Sequence, residues 1–162
     1  MTTAAPPSAF RTAIEAHDLE AAMRTCSPDV VLRSPISRWA SIAGQEQVRE
    51  VLSAVLEVVG EFRYLDEVAT DDVRVFRIEG TVGGQPFEES MWTRLDAEGL
   101  VRELRVYIRP LAGLTAFTAA LAPRLGRDRG RLRALALRAM TRPVAFLTRS
   151  GDRPAARLAL GR

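Results

Sequence analysis

Apolar residues follow three regimes along this chain. Up to residue 59 they recur at three- and four-residue spacing: Phe10, Ala13 and Ile14, then Leu19, Ala22, Met23 and Cys26, then Val48, Val51, Leu52, Val55, Leu56 and Val59. Such spacing predicts three helices, each with one buried face. Ser8 suits the N-cap of the first, which should run to about Ala16, and Asp18 that of the second, Leu19 to Cys26. Gly44 starts the longest, Gln45 to about Val59, and Gly60 ends it. Between the second and third, Ser27-Pro28-Asp29 breaks the helix and Val30–Ser34 forms a short strand stopped by Pro35. Residues 36–43, with Arg38 and Trp39, read as loop, and residues 1–7 as a disordered lead-in.

From Phe62 the period shortens to two. Strands are expected at Phe62–Ala69, Val73–Val82 and Gln85–Leu95, with a last one ending at Arg109. Gly83-Gly84 makes a two-residue hairpin turn, and Asp96-Ala97-Glu98-Gly99 turns into the last strand. Pro110 then opens a helix to about Leu121. Helices, one strand, a long helix and an antiparallel meander make an α+β pattern. Only the long helix is large enough to cover the apolar sheet face. A curved sheet wrapped around it leaves a cone-shaped cavity.

Side chains alternate faces along a strand, so the lining of that cavity can be read. Ser34 shares a face with Leu32 and Val30. Glu89, Met91, Thr93 and Leu95 share one face of their strand, and Leu104, Val106 and Ile108 one face of the last. These apolar faces are expected to point inward, together with Phe10, Ile14, Leu52 and Leu56 from the helices. Ser90, Trp92, Arg94, Glu103, Arg105 and Tyr107 then point outward. Trp39 either lids the cavity mouth or covers core. Arg33 and Arg109 either clamp a ligand carboxylate or make surface pairs with acids such as Glu103.

The third regime begins at Pro123 and the run Gly126-Arg127-Asp128-Arg129-Gly130. Residues 8–122 read as one domain and 123–162 as a helical extension. Its helix should span Arg131–Arg142, with Arg131, Arg138 and Arg142 opposite Leu132, Leu135, Ala136, Ala139 and Met140. Pro143 is expected to end it. Charge divides at the same place: residues 1–120 hold 12 Arg against 18 Asp and Glu, and residues 121–162 hold 11 Arg against 2 Asp. A basic helix of this kind can dock on its own acidic domain, touch an anionic membrane through residues 127–149, or meet a protein partner. Specific nucleic-acid binding is not expected. Docking on the acidic domain is favoured, because tethered carboxylates compete at high effective concentration.

Composition narrows the rest. In a chain of 162 residues, 47% hydrophobic and 27% charged, one folded domain is the natural expectation. A single cysteine, Cys26, excludes an internal disulfide framework, and no signal peptide or span-length apolar run is evident, so a cytoplasmic location is expected. His17 is the only histidine, and no metal-ligand cluster or Gly-rich phosphate loop stands out, so no metal or cofactor is expected.

The order of elements, Ser34-Pro35 after the first strand, Gly44 before the long helix, and the pattern Asp96-x-x-Gly99-Leu100-Val101-x-Glu103 followed by Arg109-Pro110-Leu111 resemble the nuclear transport factor 2-like superfamily. More narrowly they resemble its SnoaL-like branch, over residues 8–122. The superfamily includes ketosteroid isomerases, limonene epoxide hydrolases, polyketide cyclases and members that only bind ligands or partners, so fold alone does not assign an activity. The resemblance implies a base just before the strand-ending proline and a tyrosine donor in the first helix. Those positions hold Ser34 and Phe10. The acids that SnoaL-like relatives keep mid-strand and before the helix-opening proline are replaced by Met91 and Arg109. Isomerase chemistry is therefore not expected. Relatives with this fold commonly pair through the outer sheet face, which implies a homodimer.

Non-catalytic binding of a small hydrophobic molecule is the favoured reading. The alternatives are a cyclase- or hydrolase-type enzyme that uses Glu89 as acid or base, with Ser34 or Thr93 positioning water, and an interaction module that acts through its basic tail. Desolvation would raise the pKa of an inward Glu89 toward neutrality. A rim pair with Arg77 or Arg94 is the commoner fate of such a residue.

Overall fold

The computed structural model describes residues 7–161; the first six residues of the expected lead-in lie outside that range. Helix α1 (Ala9–Glu15) is capped by the Ser8 hydroxyl, which accepts from the Arg11 amide, and α2 (Leu19–Arg24) by Asp18, which accepts from the Ala21 amide at 2.8 Å. These caps satisfy amides that no helical carbonyl reaches. Cys26 does not finish α2 but opens β1 (Cys26–Arg33). Ala22, Met23 and Cys26 are buried all the same, so helical spacing could not mark where the helix gives way. Part of the expected loop is also a strand: β2 (Ser41–Ala43) pairs antiparallel with β1.

Helix α3 (Gln45–Val58) follows, then β3 (Val59–Ala69), β4 (Val73–Val82), β5 (Gln85–Leu95) and β6 (Val101–Arg109). The strands form one mixed sheet in the order β2-β1-β6-β5-β4-β3. Strand β6 pairs with β1 in parallel and with β5 antiparallel, which puts the last strand at the centre of the sheet. The sheet curves around α3, giving the α+β cone expected from the alternation.

One core cluster joins α1, α2 and α3 to the inner sheet face through residues such as Phe10, Met23, Val30, Val48, Phe76 and Leu104. A second, built on Ala54, Val82, Phe87, Phe117 and Leu121, holds α4 (Leu111–Arg127) across the other end. Close approach of α4 to the sheet needs Gly113: a Cβ there would stand 2.8 Å from the Cβ of Phe87 and 2.9 Å from the Pro86 carbonyl oxygen.

The C-terminal extension departs most from expectation. Pro123 lies inside α4, so the break falls at Asp128–Gly130 rather than at residue 122. Helix α5 (Arg131–Leu160) continues through Pro143 and Pro154 for 30 residues. An interior proline removes one helical hydrogen bond and ordinarily costs about 3 kcal/mol. Here α5 folds back along α4, and its half-buried stripe Ala134, Leu137, Thr141, Ala145 and Thr148 spans Pro143 on both sides. Packing on α4 therefore holds the turns before and after that proline. The hairpin turn is tied to acidic α3 by Arg124 with Glu57 (2.5 Å) and Arg129 with Glu50 (3.0 Å).

Candidate functional site

Strand β5 supplies the residue on which the interior turns. Glu89 alternates with Phe87 and Met91 on the inner face and stands in register with Ile78 of β4 and Ile108 of β6. Its cross-strand neighbours are thus both aliphatic. No hydrogen bond or ion pair to Glu89 is found among the described residues. The rim pairing with Arg77 or Arg94 does not form: Arg77 instead meets Asp66 at 2.6 Å across the outer face. Burial without compensation pushes the Glu89 carboxyl up to about 7.

Glu89 lies at the junction of two compartments between sheet and helices. The larger, about 240 Å³, is lined by Ser34, Ile36, Val51, Val106, Phe117 and Leu125, among others. The smaller, about 70 Å³, is lined by Phe10, Ile14, Leu56, Tyr64 and Ile78. Leu52, Val55, Glu89 and Met91 border both. Together they stand near the lower end of small-molecule sites, roughly 300–1,000 Å³. Glu89 is only half-buried because part of its surface faces this void. A wider depression of about 680 Å³ near Glu61, Arg63, Glu79 and Glu88 is open and edged with charges, so it excludes little water.

The structure thus brings together Phe10, Ile14, Ser34, Leu52, Leu56, Met91 and Val106 around Glu89. Three expected residues fall elsewhere. Trp39 is 84% exposed, with the Arg38 guanidinium 5.1 Å from its ring centroid, and is neither lid nor core. Its amide donates to the Ser37 hydroxyl at 3.2 Å within the loop. Thr93 faces inward but is 1% exposed, and its hydroxyl donates to the Arg74 carbonyl, so it positions no water. Ile108 packs in the second core cluster and lines neither compartment, although it stands beside Glu89 in register. Arg33 and Arg109 clamp nothing; they pair with Glu103 and Glu88 at 3.7 and 3.6 Å on the surface. Cys26 is buried and its thiol is pushed up to about 11 by that burial, which leaves it protonated and unreactive near neutrality.

Two residues that strand-face reasoning missed complete the site. Tyr64 on β3 shares a cross-strand row with Ile78 and Glu89 and lines the smaller compartment. Desolvation first, then the nearby Glu89 charge, raises its phenol far above the ordinary range, so it remains a proton donor. Glu67, also on β3, is buried and takes Arg74 at 3.0 Å, Arg11 at 3.6 Å and the Ser8 amide at 3.2 Å. It therefore ties the start of α1, and with it Phe10 and Ile14, to the sheet.

Residues 8–104 match the family model described as SnoaL-like domain. The chain belongs to the SnoaL-like domain family. Among solved structures, this SnoaL-like chain is similar to a steroid delta-isomerase from Pseudomonas aeruginosa, 28% identical, with 74% of this chain and 85% of that one covered at a TM-score of 0.65. It is similar in fold to an uncharacterised protein of Silicibacter pomeroyi with a cystatin-like fold (21% identity, 81% and 90% covered, TM-score 0.68). The fold is also that of RV0760c from Mycobacterium tuberculosis, solved in complex with estradiol-17beta-hemisuccinate (17% identity, 63% and 93% covered, TM-score 0.50). A comparison with curated proteins finds no match.

Proposed function

We propose that this SnoaL-like protein binds a small hydrophobic molecule between the sheet, α3 and α4, without turning it over. The observation that carries the reading is an apolar cavity in which Glu89 is the only carboxylate among the lining residues. A ligand with one hydroxyl or amine could hydrogen-bond Glu89 while the remaining walls exclude water. Steroid-bearing and isomerase relatives of the same fold support the ligand class. The single unpaired Cys26 supports a cytoplasmic setting. Native mass spectrometry of freshly purified protein tests the proposal by seeking a co-purifying small molecule. Persistently empty protein that also fails to take up hydrophobic ligands in titration counts against it.

The near-neutral carboxyl of Glu89 favours one second reading, proton transfer to or from the bound molecule at pH 7. Tyr64 would then donate a hydrogen bond to developing charge. Glu89→Gln separates the two, since a binder keeps its ligand and an enzyme loses turnover. On the binding reading no isomerisation of a β,γ-unsaturated ketosteroid is expected, because Ser34 and Phe10 stand where the family keeps its base and oxyanion donor and can serve as neither. Conversion followed by absorbance of the conjugated product, and abolished by Ser34→Ala, would contradict this.

Half-exposed Trp92 and Tyr107 on the outer sheet face, among Arg94, Glu103 and Arg105, support a homodimer. Trp92→Glu should shift sedimentation equilibrium toward monomer by placing a charge where an aromatic anchor would be buried. A wild-type chain that is monomeric at micromolar concentration removes the basis for the pairing.

A further inference from the structure

Docking of α5 on α4 uses a different face from the one its arginine pattern suggested. The contact is made by small residues: Gly126 of α4 lies so close that an added Cβ would meet the Leu137 side chain at 2.6 Å, and the Thr115 and Thr148 hydroxyls hydrogen-bond at 2.6 Å. The opposite side of α5 is left to solvent. Leu132, Met140, Leu147 and Leu158 follow one another there and are all exposed, and Phe146 stands beside them. Pro143 and Pro154 fall on the same side by helical spacing, so their rings extend the apolar surface.

One flank of that surface is an arginine row. Arg131, Arg138, Arg142, Arg149 and Arg153 recur at intervals of seven and four residues along α5. Across the 30 residues of α5 there are seven arginines and one acid, Asp152. The carboxylates of α3 that face this region are already engaged, Glu57 by Arg124 and Glu50 by Arg129, and neither of those arginines belongs to α5.

An occupant of this face must therefore be apolar along its centre and anionic at its edge. A second copy meeting it antiparallel across a two-fold axis would set arginine row against arginine row, and a parallel one would offer those arginines only one acid, Asp152, on the facing helix. Nucleic acid would use the arginines but leave the leucines in water. An anionic lipid surface satisfies both, with acyl chains for the leucines and headgroups for the guanidinium groups. No helix among the described residues is long and apolar enough to cross a membrane, so α5 would lie along the surface. At 1.5 Å per residue it offers a contact about 45 Å long.

We propose that the outer face of α5 binds an anionic lipid surface, with Leu132, Met140, Leu147 and Leu158 inserted and the Arg131–Arg153 row on the headgroups. The intramolecular and membrane contacts then use separate faces of one helix and do not compete. Because α4 lines the cavity with Phe117, Leu121 and Leu125 and also carries α5, the same hairpin holds the cavity wall near the bilayer. Docking itself does not depend on what the cavity binds.

Co-sedimentation of the full chain with vesicles tests this. Binding is expected with phosphatidylcholine–phosphatidylglycerol vesicles, weakening as salt rises, and not with phosphatidylcholine alone. Arg138→Gln, Arg142→Gln and Arg149→Gln combined should weaken it about 100-fold, at about fivefold per arginine. The combined variant Leu132→Gln, Met140→Gln and Leu147→Gln should abolish pelleting while leaving the melting temperature nearly unchanged, since these residues are mostly exposed. Absence of pelleting overturns the proposal. So does pelleting that survives the leucine and methionine changes, which would mean purely electrostatic adherence. If the apolar variant instead dissolves a dimer in sedimentation equilibrium, the occupant is a second copy and the proposal is wrong.

Discussion

Glu89 is expected to cost the ligand-free protein about 3 kcal/mol above neutral pH, from the interval between its ordinary 4.5 and about 7 at 1.36 kcal/mol per pH unit. Below pH 4.5 the carboxyl is protonated in both folded and unfolded chains and contributes nothing to the pH dependence. Between 4.5 and about 7 the unfolded chain releases the proton while the folded one keeps it, so the unfolded state gains and stability falls. Above about 7 both forms are ionised and the cost is complete. Because part of Glu89 faces the cavity void, the measured loss should fall below this figure. Glu89→Gln removes the titration, so the difference in unfolding free energy between the variant and wild type should grow in the variant's favour across that window. Other carboxylates oppose the trend: Arg124 beside Glu57 lowers that group's pKa, which adds stability as pH rises. The difference between the two proteins cancels such terms. Denaturant unfolding at intervals from pH 4 to pH 9 would show it, and parallel curves would mean that Glu89 is solvated. A bound ligand with a hydrogen-bond donor should shrink the difference, which links the stability measurement to occupancy.

Replacing Glu67 with alanine is expected to lower stability by about 3 kcal/mol, the scale for breaking a buried charge pair, or on the order of 10 °C in melting temperature. The Glu67 side chain is 1% exposed, and its loss strands Arg74 and Arg11, which are themselves partly covered. The Ser8 amide at the start of α1 loses its acceptor as well. Asp66→Ala on the neighbouring residue provides the contrast. Its pair with Arg77 is about 60% exposed on both sides, and exposed pairs contribute roughly 0–1 kcal/mol. Equal losses at the two positions would show that the buried pair has no special weight. Loosening α1 should also enlarge the smaller compartment, because Phe10 and Ile14 form its wall, so ligand affinity should fall with stability.

Glu67 also shows where strand reasoning stops. Alternation from Phe62 through Tyr64 puts Asp66 inside and Glu67 outside. The register between β3 and β4 shifts between Tyr64 and Asp66, and one extra residue, Leu65, reverses every face after it. Nothing in the order of side chains marks that bulge. On β5 and β6 pairing is continuous from Glu88 to Arg94, and there alternation placed Glu89, Met91, Leu104 and Val106 on the inner face. Facing inward did not by itself place a residue in the cavity. Thr93 and Ile108 have the right face, but Thr93 is enclosed by core, and Ile108, although it shares a row with Glu89, packs into the second core cluster instead.

Local pattern was enough for the order of elements, the capped helices, the hairpin at Gly83-Gly84 and the burial of one face of α3. Each depends on residues within a few positions of one another, and a one-dimensional period records them. The same holds for the split between an acidic body and an arginine-rich extension. Four features depended on contacts between distant segments. These are the bulge in β3, the outward turn of Trp39, the passage of α5 through Pro143 against α4, and the lack of an arginine partner for Glu89 among the described residues. The energies that decide them, packing across two helices and the desolvation of a lone carboxylate, exist only once the chain has closed on itself.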